Sequence, residues 1–367
     1  MWTKLLLLAS FVYFASAQKK KLILNVDGTV EDAKGLLLAL ENEDVEVLGV
    51  ICTSSFISAP QCARNMDRIR RLSEKKASPS SSHPPGSIQV DIYLGSASAL
   101  ISEKRRDFSP SMGSDAFGEY PTMEPEEQAQ PEVRDEPGAL ALARLAREHR
   151  ESGVVLVVTG PLTDAALALR IDPELSRNLK AAYVRGGNMF GVGVVAGSAA
   201  AEYNFFADPE AAYMLYNHLK APIVMIPHET VHQRDNNEMY DLFSVAVKKE
   251  AFLKVNSTKA TFIREVSRHV LQELQRKERP YTFGDEIAVA AAIRPSSIID
   301  RIKPIAATIE LFGQYTRGQV AIDWLNEDLS KLNVRVVTEY SPRSVSSMML
   351  KAVQADKDDF LTNSLFL

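Results

Sequence analysis

Short apolar, β-branched runs recur along the chain, and each gives way to a polar or helix-forming stretch. KLILNV (21–26), VEVLGVI (45–51), IQVDIYL (88–94), GVVLVVTG (153–160), AAYVRGG (181–187) and APIVMIP (221–227) have the length and composition of buried strands. Their alternation with helical patterns predicts a parallel sheet with helices on both faces. After Pro227 the pattern turns helical, notably over Val247–Arg276, and strands are expected near Ile305–Leu311 and Val334–Thr338, with a closing helix from Pro342. No linker separates this part, so it reads as helical cap elements and an added sheet edge. The expected fold class is α/β: an open, mainly parallel, Rossmann-like sheet flanked by helices.

Two stretches break the alternation, 73–87 (SEKKASPSSSHPPGS) and 103–137, both rich in Ser, Pro, Gly or charge and without apolar periodicity. Both are expected to be surface insertions, and the second is long enough to rim or cover a site or else to be disordered. The first residues run from Lys4 through an apolar stretch to Ala15-Ser16-Ala17, the layout of a secretory signal over 1–17. The mature chain, 18–367, is then expected to be one exported domain with no membrane span. In that compartment Cys52 and Cys62, the only two cysteines, are permitted to pair, and two buried thiols are the equal alternative. Asn256-Ser257-Thr258 is a glycosylation sequon. The net charge of −5 is spread along the chain without a basic cluster, which argues against nucleic acid as a partner.

The densest chemistry lies in LILNVDGTVEDAKGLLLAL, 22–40, where a strand stops at Asn25-Val26-Asp27, turns at Gly28-Thr29 and resumes as a helix carrying Glu31 and Asp32. In open α/β sheets, ligands bind beyond the carboxyl ends of the strands. Carboxylates crowded there repel one another unless a hard divalent cation relieves them. Helix-dipole stabilisation of first-turn acids explains Glu31 and Asp32 equally well from this segment alone.

The segment resembles the Asp-x-Asp-Gly-Thr motif of haloacid dehalogenase-like phosphatases, but their nucleophilic aspartate would fall on Asn25, and an amide cannot form an acyl phosphate. The whole chain resembles the inosine-uridine-preferring nucleoside hydrolases much better. Asn25-Val-Asp27-Gly-Thr-Val-Glu31-Asp32-Ala33 answers their D-x-D-P-G-x-D-D-A; VVTGPLTDAALAL (157–169) answers TGPLTN-x-A; AEYNFFADPEAA (201–212) answers AEFN-x-x-x-DPEAA; FGDEIAVAAAIRP (283–295) answers H-D-x-L-A-x-x-x-x-x-P. The resemblance implies the nucleoside hydrolase fold and a Ca²⁺ ion held by Asp27, Asp32, the Thr159 carbonyl and Asp285. It implies Asp27 as the base acting on water, and Glu31, Glu202 and Asn204 as substrate-binding groups. It also implies a small-molecule nucleoside or riboside as substrate and a homo-oligomer, a dimer or tetramer.

The departures concern the sugar and the leaving group. Glu31 and Asn25 replace aspartates, and Gly284 stands where much of the family has a histidine. Met112-Gly113-Ser114-Asp115 replaces a His-Gly loop, Ser55 or Phe56 an asparagine, and Val194–Gly197 a glycine-asparagine pair. Tyr120, Arg185, His228 and His232 lie in loops from which one of them can compensate. Calcium-dependent hydrolysis of a riboside is therefore the leading expectation. A secreted binding protein that keeps the ion and has lost leaving-group help is the alternative.

Overall fold

The computed structural model describes residues 18–74, 90–101, 112–119, 130–193, 200–231, 251–277, 281–325 and 328–354. The leader over 1–17, Tyr120, Val194–Gly197, His232 and most of the first insertion lie outside them, as do 103–111 and 120–129 of the second.

A nine-stranded sheet organises the chain in the order β3-β2-β1-β4-β5-β6-β9-β7-β8. The strands are β1 Lys20–Val26, β2 Val45–Cys52, β3 Ile92–Leu94, β4 Val154–Val158, β5 Leu179–Arg185, β6 Ile223–Ile226, β7 Ile299–Ile309, β8 Val320–Asp323 and β9 Val334–Tyr340. The first six run parallel, β9 joins β6 in parallel, and β7 and β8 add an antiparallel edge. The chain moves outward from β1 to β3, then returns to the other side of β1 as β4 and moves outward again. This reversal places a switch point between β1 and β4, where neighbouring connections leave in opposite directions and open a crevice.

The two faces divide the core according to the period-two alternation of the strands. Leu22, Leu24 and Val26 of β1 pack with helices α1 (Val30–Leu40), α2 (Ala59–Glu74) and, later in the chain, Asp285–Ile293 and Pro342–Gln354. Ile23 faces the opposite layer, built from α3 (Gly138–Glu148), α4 (Thr163–Ile171) and Pro209–His218. Asp285–Ile293 is buried at every residue. Its apolar surface has no wet face, so it forms a central helix against α1.

Two expectations change in the structure, and a third gains detail. The helical stretch over Val247–Arg276 is, among the described residues, a 3-10 turn, Ala251–Lys254, followed by helices Thr258–Val266 and Arg268–Arg276. The Ser257 hydroxyl accepts the Ala260 amide and starts the first of them afresh. The third strand is only Ile92–Leu94. The antiparallel edge begins at Ile299 and includes β8, which the apolar pattern does not announce, because Asp300–Pro304 and most of β8 face solvent. Cys52 and Cys62 are buried free thiols whose burial pushes both above the ordinary thiol range.

Candidate active site at the strand switch point

The site grows from the end of β1. Asp27 is the first residue past the strand, and Gly28 turns the chain at φ 86°. A side chain at Gly28 would meet the Cα of Cys62 on α2 at 2.6 Å, so glycine is required by both conformation and space. Thr29 then caps α1 in a capping box with Asp32: its hydroxyl accepts the Asp32 amide, and the Asp32 carboxylate accepts the Thr29 amide. The same oxygen of Asp32 also accepts the amides of Asp27 (3.1 Å) and Gly28 (2.8 Å). Its other oxygen takes the Thr159 hydroxyl at 2.5 Å. Asp32 is therefore fixed from both sides by β1 and β4.

Asp285 comes to the same point from the N-terminus of the central helix, with the Thr29 hydroxyl 3.4 Å from its Oδ2. Asp27, Asp32 and Asp285 are all buried and offer oxygens within 4.8 Å of one another. Burial and then the neighbouring Asp32 hold Asp27 well above the usual carboxylate range. Asp285 is raised by burial, Asp32 and Glu31, against which Arg185 works. One oxygen of Asp27 has no hydrogen-bond partner among the described residues. Three convergent buried carboxylates with an unpartnered oxygen fit a hard divalent cation, which supplies the missing positive charge and oxygen coordination.

Glu202 caps the N-terminus of the short helix Tyr203–Ala207, and Asn204 lies in its first turn. The Glu202 Oε2 accepts the Gly187 amide at 2.9 Å and the Asn204 amide at 3.0 Å. The Asn204 amide nitrogen donates to the Thr159 carbonyl at 2.8 Å and to the Arg185 carbonyl at 3.3 Å. These two residues thus tie the ends of β4 and β5 together at the crevice, and the predicted set comes together in one place.

Two departures from the family pattern acquire a structural partner. The Glu31 carboxylate lies over Gly284, where the first side-chain carbon of any other residue would fall inside it. The acid at 31 thus occupies the space that a side chain at 284 would enter. Asn25 donates to the Thr53 hydroxyl at 2.7 Å, and Thr53 in turn donates to Asp164. Asp164 stands where the family pattern TGPLTN has asparagine, so the acid and the amide have traded ends of one hydrogen-bonded chain.

Sequence reasoning placed no residue behind the turn at Asp285, yet a buried network stands there. Lys34 pairs with Glu286 at 2.8 Å and donates to the Tyr281 hydroxyl at 2.5 Å, while Glu286 accepts the Gly284 amide at 3.0 Å. Asn65 of α2, fully buried, links the Gly28 and Asp115 carbonyls at 2.8 Å each, tying the Met112–Glu119 loop to the site. A lysine in the apolar row of α1 was the available signal for the first network; the asparagine carried none. Of the residues named as possible compensation, Arg185 closes strand β5 and is not in a loop; it reaches the site and lies 3.9 Å from Asp285 and 3.8 Å from Glu202. His228 follows β6, its amide bonded to the Gly187 carbonyl.

The family model of the inosine-uridine preferring nucleoside hydrolases matches residues 22–346. Relatives include the inosine-uridine preferring nucleoside hydrolase of Leishmania major, 25% identical over 83% of this chain and 88% of its own length. The pyrimidine-specific ribonucleoside hydrolase RihA of an Enterobacter species is 26% identical over 87% of this chain and 92% of its own length. Among solved structures, an inosine-guanosine nucleoside hydrolase superposes with a TM-score of 0.76 at 24% identity, covering 91% of this chain and 99% of that one. A plant nucleoside hydrolase does so at 0.75 and 19%, covering 92% and 99%. With its sheet order, its crevice and its four ordered motifs in agreement with that match, the chain belongs to the inosine-uridine preferring nucleoside hydrolase family, hydrolases of N-glycosyl bonds.

Proposed function

We propose that the chain hydrolyses the N-glycosidic bond of nucleosides or related ribosides in a calcium-dependent reaction, giving free base and ribose. The observation that carries this reading is the convergence of Asp27, Asp32 and Asp285 with one Asp27 oxygen unpartnered. Asp27, Asp32, Asp285 and the Thr159 carbonyl would hold Ca²⁺, which supplies an oriented water of lowered pKa. Asp27 takes that water's proton, and its position at the end of β1 among the other ligands sets it beside that water. Hydroxide equivalent adds to the anomeric carbon as the C–N bond breaks, and the released base takes up a proton. Glu202 and Asn204 line the sugar position, and the carboxylates around it stabilise the cationic character of the sugar in the transition state.

The reading extends to an exported, homo-oligomeric chain. Export is supported by the 1–17 leader pattern and by the exposure of Asn256 in its sequon; the oligomer rests on the family likeness. No helix among the described residues is long and apolar enough to cross a membrane.

The test is release of reducing sugar from inosine, uridine, adenosine and guanosine by the purified mature chain, with Ca²⁺ or with chelator, beside Asp27→Ala. Calcium-dependent release abolished by the substitution is expected. No release from any nucleoside, with calcium binding intact by calorimetry, would favour a binding protein instead.

A further inference from the structure

Arg185 is the last residue of β5, 8% exposed, and belongs to no family motif above. Its Nη1 lies 3.8 Å from Glu202 Oε1 and its Nε 3.9 Å from Asp285 Oδ1. Both distances are beyond hydrogen bonding, and neither nitrogen has an acceptor among the described residues. A guanidinium is a donor only, with five N–H groups, and buried donors left without acceptors are costly. Arg185 is therefore charge-balanced by its neighbours and still unsatisfied in hydrogen bonding, at the point where the sugar binds in the reading above.

The spacing says what satisfies it. An oxygen about 2.8 Å from one of these nitrogens and from a carboxylate oxygen would bridge a separation of this size. Such an oxygen must accept from the guanidinium and donate to the carboxylate, which a sugar hydroxyl or a water does and a fully ionised phosphate, an ether or a carbonyl does not. Charge points the same way. Glu202, Asp285, Glu31 and Glu286 all act on one arginine, and an anion held by Arg185 would sit close to Glu202 and Asp285.

We propose that Arg185, with Glu202 and Asp285, forms a hydroxyl clamp that selects the unphosphorylated sugar of a neutral riboside. This rests on the riboside reading given above and adds a specificity-determining residue to it. Arginine and lysine separate in this role, because a lysine keeps the charge and loses the fixed fork.

The experiment titrates methyl β-D-ribofuranoside, its 2-, 3- and 5-deoxy forms and its 5-phosphate into the calcium-loaded chain by calorimetry. It compares wild type, Arg185→Met and Arg185→Lys, with thermal unfolding as the fold control. Arg185→Met is expected to weaken the full sugar about tenfold to a hundredfold. At least one deoxy sugar should be insensitive to the change, and lysine should not restore the difference. Equal losses on all sugars, restoration by lysine, tighter binding of the 5-phosphate, or no binding of the sugar by wild type would each overturn the clamp. Should Arg185→Met unfold, wild-type affinities alone decide, since the clamp requires one deoxy sugar to lose at least tenfold and the phosphate to bind worse. Failure of nucleoside turnover would remove the hydrolase reading and leave these titrations to decide the clamp by themselves.

Discussion

Asn25→Asp restores the residue that the family pattern carries, and the structure implies that it damages this chain. Asn25 is fully buried. Its amide nitrogen serves two acceptors, the Thr53 hydroxyl oxygen at 2.7 Å and the Ile51 carbonyl at 3.3 Å. Thr53 has a single proton, and it is committed to Asp164, so Thr53 presents only lone pairs to residue 25. A carboxylate there would take the donor from both acceptors, set its own oxygens against them, and add a second buried carboxylate near Asp164, at about 1–3 kcal/mol for each group left mismatched. The expected loss is about 3–5 kcal/mol, a large part of the roughly 5–15 kcal/mol that holds a domain folded.

Asp164→Asn in the same background should return much of that loss. Thr53 can then reverse its proton toward the new carboxylate at position 25. The amide introduced at position 164 donates to Thr53, and its oxygen keeps the Ser96 amide and hydroxyl that Asp164 accepts now. The hydrogen-bonded chain from position 25 to position 164 again holds one carboxylate. The assay is urea unfolding of wild type, both single variants and the double variant, read as a mutant cycle. A coupling energy of about 2 kcal/mol or more is expected for contacting groups in one network. If Asn25→Asp costs under about 1 kcal/mol, or the double variant is as unstable as the two losses summed, the exchange of acid and amide is refuted.

Lys34→Met strands Glu286 without its cation in the interior, so a loss of about 3–5 kcal/mol is expected in the same unfolding assay, whereas Lys34→Met/Glu286→Leu should recover part of it. Glu286→Gln, which loosens the turn carrying Asp285, should weaken Ca²⁺ binding about tenfold by calorimetry; unchanged affinity would show that the network does not position the ligand. Gly284→His alone should displace Glu31. In a Glu31→Asp background it should raise turnover of inosine relative to 4-nitrophenyl riboside, whose leaving group needs little proton help; an unchanged ratio refutes an exchange at this position. In chelator, Asp27 and Asp285 carry raised folded-state pKa values, so what they contribute to stability is full below the free carboxylate range, about pH 4, and is lost as pH rises through the raised values. The difference in Tm between Asp27→Asn and wild type should therefore grow with pH and shrink when Ca²⁺ is added.

The strands of the parallel sheet could be read from the sequence because the forces that place them are local, whereas Asp27, Asp32 and Asp285 could be grouped only through the ordered family motifs. A buried strand shows as an apolar run, and a crevice as the turn that follows a strand. What stayed hidden was decided between segments distant in the chain. Arg185 closes an ordinary strand, and only the pairing of β5 with β4 brings it to Asp285, 100 residues later. Asp300–Pro304 carries no apolar alternation because the strand's hydrogen bonds to β9, and not burial of its side chains, keep it extended. Asn65 reads as any polar residue on an amphipathic helix until the carbonyls of Gly28 and Asp115 are brought to it.

The departures from the family pattern teach the same lesson at higher stakes. Read one position at a time, Asn25, Glu31 and Gly284 look like losses, and losses around a sugar site argue for decayed catalysis. In the structure two of them have partners: Asn25 shares one hydrogen-bonded chain with Asp164 across β1, β2 and α4, and Glu31 fills the volume that Gly284 vacates. A chain drifting without selection on its crevice has no reason to match an acid gained on one segment with an acid given up on another, or a lengthened side chain with a removed one. Asp27, Asp32 and Asp285 meanwhile remain buried and convergent, an arrangement that like-charge repulsion makes expensive to keep unless an ion and a reaction use it. The pairing of the replacements therefore supports the proposed hydrolase over the proposed binding protein.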